Sequence, residues 1–199
     1  EIKNKYLFQG HESNRGYISA GSETHDLEQD CLPDPKETFD IGKEHEPGYS
    51  NFWPEELSHT SFREDLICYF QTMDGLYLRL MKMIGVGLQL PDPDFFVKQC
   101  NDQHENLRLL HYHALAPDHP NKMIRGNVHT DFGALTLLVQ DSVGGLRVKN
   151  MDGTRWIHVE PVPYAIIVNV GDMLMRWSND RLKATLHQVI TPPSRFGPE

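Results

Sequence analysis

Gly126-Asn127-Val128-His129-Thr130-Asp131-Phe132-Gly133 is the stretch on which the reading of this chain turns, with a counterpart at Leu186-His187-Gln188-Val189. Successive side chains of a strand alternate between its faces, so His129 and Asp131, two residues apart, share one face. One imidazole, one carboxylate and a second, remote imidazole make a ligand set that covers one side of a metal ion and leaves positions open. Such a set suits non-haem Fe(II) handling O2. His-x-Asp alone recurs by chance, and the chain holds 11 histidines, so the surroundings have to decide.

From Asn106 onward those surroundings are short strands. Leu107–His113, Leu135–Gln140, Leu146–Lys149, Trp156–Val159, Ala165–Val170, Met173–Arg176 and Ala184–Ile190 alternate with turn formers such as Asp141–Gly145, Asn150–Gly153 and Ser178-Asn179-Asp180. Strands at that spacing predict a sandwich, jelly roll or barrel. Ala165–Val170 is apolar on both sides, as for a strand between two packed layers. His187 interrupts an apolar run, where an imidazole without a partner costs desolvation free energy. A metal or a backbone group must answer it. The other histidines read as surface or core residues.

Upstream, residues 1–60 are polar and rich in turn formers. Glu1–Phe8 reads as the end of a helix, Asn14-Arg15-Gly16-Tyr17 as a turn, and Lys36–Phe39 as the start of a short ordered piece. Ser61 and Glu64 have capping-box spacing. Leu66, Ile67, Phe70, Met73, Leu76, Tyr77, Leu80, Met81 and Ile84 follow as one apolar helical face, and Gly85 and Gly87 are placed to end the helix. A shorter helix is expected after Asp92 and Asp94. The division implied is 1–103, an N-terminal loop and helical support region, and 104–199, a β core.

Composition narrows the function classes. A chain of 199 residues with formal charge −9 and pI about 5.6 is poorly matched to nucleic acid or to an anionic membrane surface. No apolar run approaches the ~18 residues that span a bilayer. Cys31, Cys68 and Cys100 form no Cys-x-x-Cys pair. Reduced thiols and a cytoplasmic location are the expectation. The first residue is Glu, so the chain is expected to be part of a longer product.

These segments together resemble the isopenicillin N synthase-like branch of the Fe(II)/2-oxoglutarate dioxygenases. His129-Thr130-Asp131-Phe132-Gly133 followed by Leu135–Asp141 is similar to the family's first metal motif and the strand after it. Gly144-Gly145-Leu146-Arg147-Val148 resembles the next strand. Val168–Leu174 and Trp177-Ser178-Asn179 resemble the segment leading to the distal histidine, which Thr185-Leu186-His187-Gln188-Val189 supplies where the family often has His-Arg-Val. Arg15-Gly16-Tyr17, Asp34-Pro35-Lys36-Glu37 and Ile41-Gly42 are similar to fungal members, including the thymine dioxygenase-like branch. The resemblance covers nearly the whole chain.

The resemblance implies a mainly β fold with flanking α-helices, built on a double-stranded β-helix (jelly roll). It implies that His129, Asp131 and His187 bind Fe(II), with 2-oxoglutarate and O2 as cosubstrates. Tyr112 stands at a tyrosine that holds the 2-oxoglutarate carboxylate, or is a strand tyrosine with a packed ring. Leu110 stands where many relatives have Asn. Phe132 faces substrate, or is a core aromatic. The implied reaction is oxidation, usually hydroxylation, of a C–H bond of a small molecule, with succinate and CO2 as coproducts. The family also has an Arg-x-Ser on the strand after the distal histidine, where a planar guanidinium pairs with the far carboxylate. Arg195 is followed by Phe196-Gly197 and does not match. Relatives also carry a further βα segment ahead of Glu1, so the jelly roll is expected to be incomplete at both ends. Two other readings stand beside this one: an iron oxidase that uses no 2-oxoglutarate, and a non-catalytic jelly-roll binding module.

Overall fold

The computed structural model describes residues 1–8, 10, 14–23, 32–100, 104–114, 118 and 124–191. His11, His25, Cys31, His119 and Arg195 lie outside the described residues. Two compact units are present, one comprising Glu1–Ser19 with Glu37–His111, the other Ala20–Lys36 with Tyr112–Glu199. The division expected at 103/104 thus falls at 111/112. Ala20–Lys36 joins the second unit because Asp34 is hydrogen-bonded there, to Asn127.

In the first unit a three-stranded sheet has the order β1 (Gly16–Ile18), β2 (Lys36–Gly42), β3 (Asn106–Tyr112). β1 and β2 are antiparallel, with Gly16 opposite Asp40 and Ile18 opposite Thr38. β2 is polar in sequence yet buried, as at Glu37, Thr38 and Asp40. Buried charges persist when they are paired. Asp40 accepts from Arg108 Nε at 2.9 Å and Nη2 at 2.7 Å. Glu37 accepts from Lys3 Nζ and Tyr17 Oη at 2.6 Å each and contacts His111 Nδ1 at 2.8 Å. That polarity conceals β2 from a periodicity reading, which finds only a short ordered piece. β3, expected as a strand of the β core, is instead part of this sheet. Asn14 has the positive φ of a turn residue, 44°, but the chain is already in β1 by Gly16. Glu1–Phe8 contributes a 3-10 helix at Lys3–Tyr6.

α1 spans Phe62–Gly87 with Ser61 as its N-cap residue. The Ser61 hydroxyl donates to Asp65 at 2.6 Å rather than accepting from a backbone N–H. Phe70, Tyr77 and Met81 of the expected face are buried, and the other six apolar residues are half-buried. The helix ends at Gly87, as expected; left-handed Gln89 (φ 56°) lies just beyond it, and Leu90 N–H returns to Gly85 O at 3.1 Å. Gly85 answers a different need, since a Cβ there would stand 2.3 Å from the Pro93 carbonyl oxygen. α2 follows at Phe95–Gln99, with Phe96 buried. Among the described residues no helix is long and apolar enough to cross a membrane.

The second unit carries two antiparallel sheets. One has the order β4 (Ile124–His129), β9 (His187–Ile190), β6 (Leu146–Lys149), β7 (Trp156–His158), and the other pairs β5 (Leu135–Leu138) with β8 (Ile167–Val170). β4 is additional to the strands expected from periodicity, and most of the others are shorter. Ile166 and Val168 are 36% and 45% exposed, so β8 is not covered on both sides as its apolar sequence suggests. Met173–Arg176, expected as a strand, lies in a helix, α3 (Asp172–Trp177). Gly171 caps it in an extended conformation, and Leu174 is its buried residue. Alternation in Met-Leu-Met-Arg therefore reports one anchored side chain, not a sheet face.

Candidate metal centre

β4 and β9 place Gly126 opposite Val189 and His129 opposite His187. Over that interval β4 advances three positions while β9 advances two, so β4 carries a bulge at Asn127–Val128. The bulge ends with the two imidazoles side by side across the strand pair, ring centroids 4.3 Å apart and planes tilted by 54°. Asp131 does not share a strand with His129, because β4 stops at His129 and Asp131 lies in the turn that follows. Its carboxylate still reaches the same point. Asp131 Oδ1 is 3.9 Å from His129 Nε2 and 3.6 Å from His187 Nε2. The three side chains are 22%, 21% and 14% exposed in the order His129, Asp131, His187, so the cluster is sheltered but open on one side.

Each donor is turned by a partner. His129 Nδ1 lies 2.7 Å from Asn127 O, and His187 Nδ1 lies 2.9 Å from Thr185 O. A carbonyl oxygen only accepts, so each Nδ1 carries the hydrogen and each Nε2 presents its lone pair. Backbone carbonyls on the far nitrogen orient metal-binding histidines in this way. Asp131 Oδ2 accepts from Asn169 Nδ2 at 2.6 Å, which leaves Oδ1 toward the histidines.

The turn itself is bolted to the start of α3. Asp172 N–H donates to Asp131 O at 2.8 Å, Gly171 N–H to Ala134 O at 2.9 Å, and Met173 N–H to Gly133 O at 3.2 Å. Thr130 Oγ1 donates to Asp172 Oδ2 at 3.0 Å. Only glycine fits at 171, because a Cβ would lie 2.2 Å from Gly133 O and 2.8 Å from Asp131 O.

Two imidazole nitrogens and one carboxylate oxygen thus lie within 4.8 Å of one another. Neighbouring ligands about 2.1 Å from one ion stand roughly 3 Å apart, so an ion here would draw Asp131 Oδ1 and each Nε2, now 3.9 and 3.6 Å apart, together by under about 1 Å. The nitrogen-rich set, confined to one side, fits a first-row divalent metal such as Fe(II) with positions left for other ligands.

The structure brings His129, Asp131 and His187 together. Tyr112, at the end of β3, is half-buried, with the Arg125 guanidinium 5.6 Å from its ring centroid. Arg125 is itself buried and donates to His113 O. Phe132 is 84% exposed, which removes the core-aromatic alternative. Asn169 and Gly171 were not foreseen as site residues. Asn169 had a signal, a lone amide inside the apolar strand Ile167–Val170, where a buried amide needs a partner. Gly171 had none, because its role depends on which backbone approaches it.

A model of the 2OG-Fe(II) oxygenase superfamily matches residues 91–196. Proline hydroxylase buaE of Petromyces alliaceus is 39% identical over 186 residues, covering 90% of this chain and 57% of that protein. The 2-oxoglutarate-dependent dioxygenase ecdK of Aspergillus rugulosus is 38% identical, covering 81% of this chain and 49% of its own length. The chain therefore spans about half the length of these relatives. Among solved structures, the full-length thymine 7-hydroxylase of Neurospora crassa in complex with alpha-KG matches with a TM-score of 0.85 and 38% identity, over 96% of this chain and 60% of that enzyme. Its complex with alpha-KG and thymine matches with a TM-score of 0.85 and 36% identity, over 96% and 61%. These neighbours share the jelly-roll fold of the second unit.

Proposed function

The chain belongs to the 2OG-Fe(II) oxygenase superfamily, and on that premise we propose that it carries the metal centre of an oxygenase acting on a C–H bond of a small molecule. The observation that carries the reading is the convergence of His129 Nε2, Asp131 Oδ1 and His187 Nε2, each fixed by a hydrogen bond on its far side. Fe(II) and 2-oxoglutarate, if bound there, would supply with O2 the oxidising power for hydroxylation, with succinate and CO2 as coproducts.

The chain's own residues hold and orient. His129, Asp131 and His187 would hold the metal, Asn169 keeps Asp131 turned toward the histidines, and the α3 cap keeps the turn in place. Tyr112 is assigned to the 2-oxoglutarate carboxylate, supported by its half-buried position against a buried arginine. Phe132 is assigned to substrate, supported by its exposed ring next to Asp131. No side chain is assigned as a general base, since the oxidising chemistry would come from the bound cofactors. A small substrate agrees with the thymine bound by the Neurospora crassa enzyme and with the name of buaE.

Anaerobic titration of the full-length protein with Fe(II), with and without 2-oxoglutarate, tests this. A weak visible band that needs both additions, together with succinate release in air, is the expected result. His129→Ala and Asp131→Ala should each remove the band while leaving the unfolding transition in place. Wild-type turnover in either variant would sink the ligand assignment.

A further inference from the structure

Asp34-Pro35-Lys36-Glu37 contributes no donor to the metal set, yet two of its residues are buried charges of the second unit. Asp34 is 1% and Lys36 4% exposed. The Lys36 ammonium bonds Asp34 Oδ2 and lies 3.0 Å from Glu23 Oε2. The other oxygen, Asp34 Oδ1, holds Asn127 twice. It accepts from the Asn127 backbone N–H at 2.9 Å and from the Asn127 side-chain amide at 2.7 Å. That amide also donates to Leu32 O at 2.8 Å. Asn127 is the residue whose carbonyl meets His129 Nδ1.

The bulge explains why a side chain is recruited there. The β4–β9 register passes from Gly126 to His129 and gives Asn127 no partner on β9. A buried N–H without an acceptor is costly, and Asp34 is the acceptor supplied. Lys36 compensates the buried carboxylate, and a charged oxygen holds an N–H more firmly than a neutral one. A pair serving only the fold has no need to hold both the backbone N–H and the side-chain amide of the residue whose carbonyl meets a metal donor.

We propose that the Lys36–Asp34 pair is a positioning device for His129. It clamps the Asn127 peptide within the bulge, and the Asn127 carbonyl then sets the ring plane and the Nδ1–H tautomer that leave Nε2 facing Asp131. Neither residue touches the metal, and both act through Asn127. The inference rests on the metal-centre reading above.

Co(II) is the probe, titrated into the full-length protein and followed by its visible absorption, with thermal unfolding of the metal-free protein measured in parallel. Asp34→Leu with Lys36→Met removes both buried charges and the Asn127 acceptor together, so neither member of the pair is left as a lone buried charge, and the Glu23 carboxylate that loses Lys36 is 23% exposed. The expected result is a folded protein with Co(II) affinity about 10-fold weaker and an altered Co(II) spectrum, the size of effect seen for groups that orient metal ligands. A folded double variant with wild-type affinity and spectrum overturns the proposal. If the double variant does not fold, Asn127→Ala decides, because it removes only the half-exposed amide. Severalfold weaker Co(II) binding supports the clamp, and wild-type binding overturns it. Absence of Co(II) binding by the wild type, or wild-type binding by His129→Ala, overturns the metal-centre reading and this inference with it. Normal wild-type binding that is lost in His129→Ala but untouched in the other variants removes this inference alone.

Discussion

Gly171→Ala should unfasten the metal turn without changing any donor. The new methyl would start 2.2 Å from Gly133 O, 2.8 Å from Asp131 O and 2.9 Å from Gly133 C. All three are backbone atoms, so no rotamer change relieves the clash. A carbon beside a carbonyl oxygen rests at about 3.3 Å or more, so the Asp131–Gly133 backbone and the start of α3 must part by about 1 Å. Gly171 has φ −98° and ψ 176°, which alanine adopts freely, so the cost is steric alone. Overpacking of this kind costs about 1–3 kcal/mol. Stretching Asp172 N–H to Asp131 O and Gly171 N–H to Ala134 O adds about 1 kcal/mol for each bond lost. At roughly 2–4 °C per kcal/mol for a chain this long, the unfolding midpoint of the metal-free protein should fall by about 6–20 °C. Asp131 Oδ1, displaced by a similar distance, should lose Co(II) affinity by about 10-fold or more. The measurements are a thermal melt and a Co(II) titration on the same preparation. A midpoint within about 1 °C of wild type, with unchanged affinity, would refute the role given to Gly171.

Asn169→Ala removes the donor to Asp131 Oδ2 and should weaken Co(II) binding by about 10–100-fold; Asn169→Asp, which sets two carboxylates against each other, should weaken it further, and equal affinity in both variants would contradict the contact. Burial pushes the Glu37 carboxyl up, but bonds from His111, Lys3 and Tyr17 outweigh it and bring its pKa from 4.5 down to about 2. With the folded value below the unfolded one, Glu37 stabilises fully above pH 4.5 and loses that contribution as pH falls toward 2. The melting deficit of Glu37→Gln should therefore be greatest above about pH 5 and close toward pH 2, and a deficit independent of pH would show that the charge is not responsible. Phe132→Ala, at an exposed position, should change stability by no more than about 0.5 kcal/mol and leave Co(II) affinity unchanged. A drop of several degrees in its melt would mean the ring is packed.

Much of the β region was legible because it obeys local rules. Leu146–Lys149 falls where alternation and the flanking glycines put it, and Leu135–Leu138 and His187–Ile190 lie within their expected runs. β2 was not legible as a strand, because Lys36, Glu37, Thr38 and Asp40 have the composition of a loop, and the charges of Glu37 and Asp40 are buried against partners distant in the chain. Met173–Arg176 was misread for the converse reason. Its alternation is genuine, but Gly171 and the carbonyls of Asp131 and Gly133 start a helix there.

What the sequence by itself determined was which residues are the candidate donors. His129, Asp131 and His187 follow from residue chemistry and from segments that resemble one family. What the tertiary structure decided was how those donors are aimed. Asp131 reaches the histidines from a turn, held by Asn169 and the cap of α3, and His129 is set by Asn127, which Asp34 holds from 93 residues earlier. Ligand identity is a property of single side chains, written locally. Ligand direction depends on hydrogen bonds between segments far apart in the chain, and those exist only once the chain has folded.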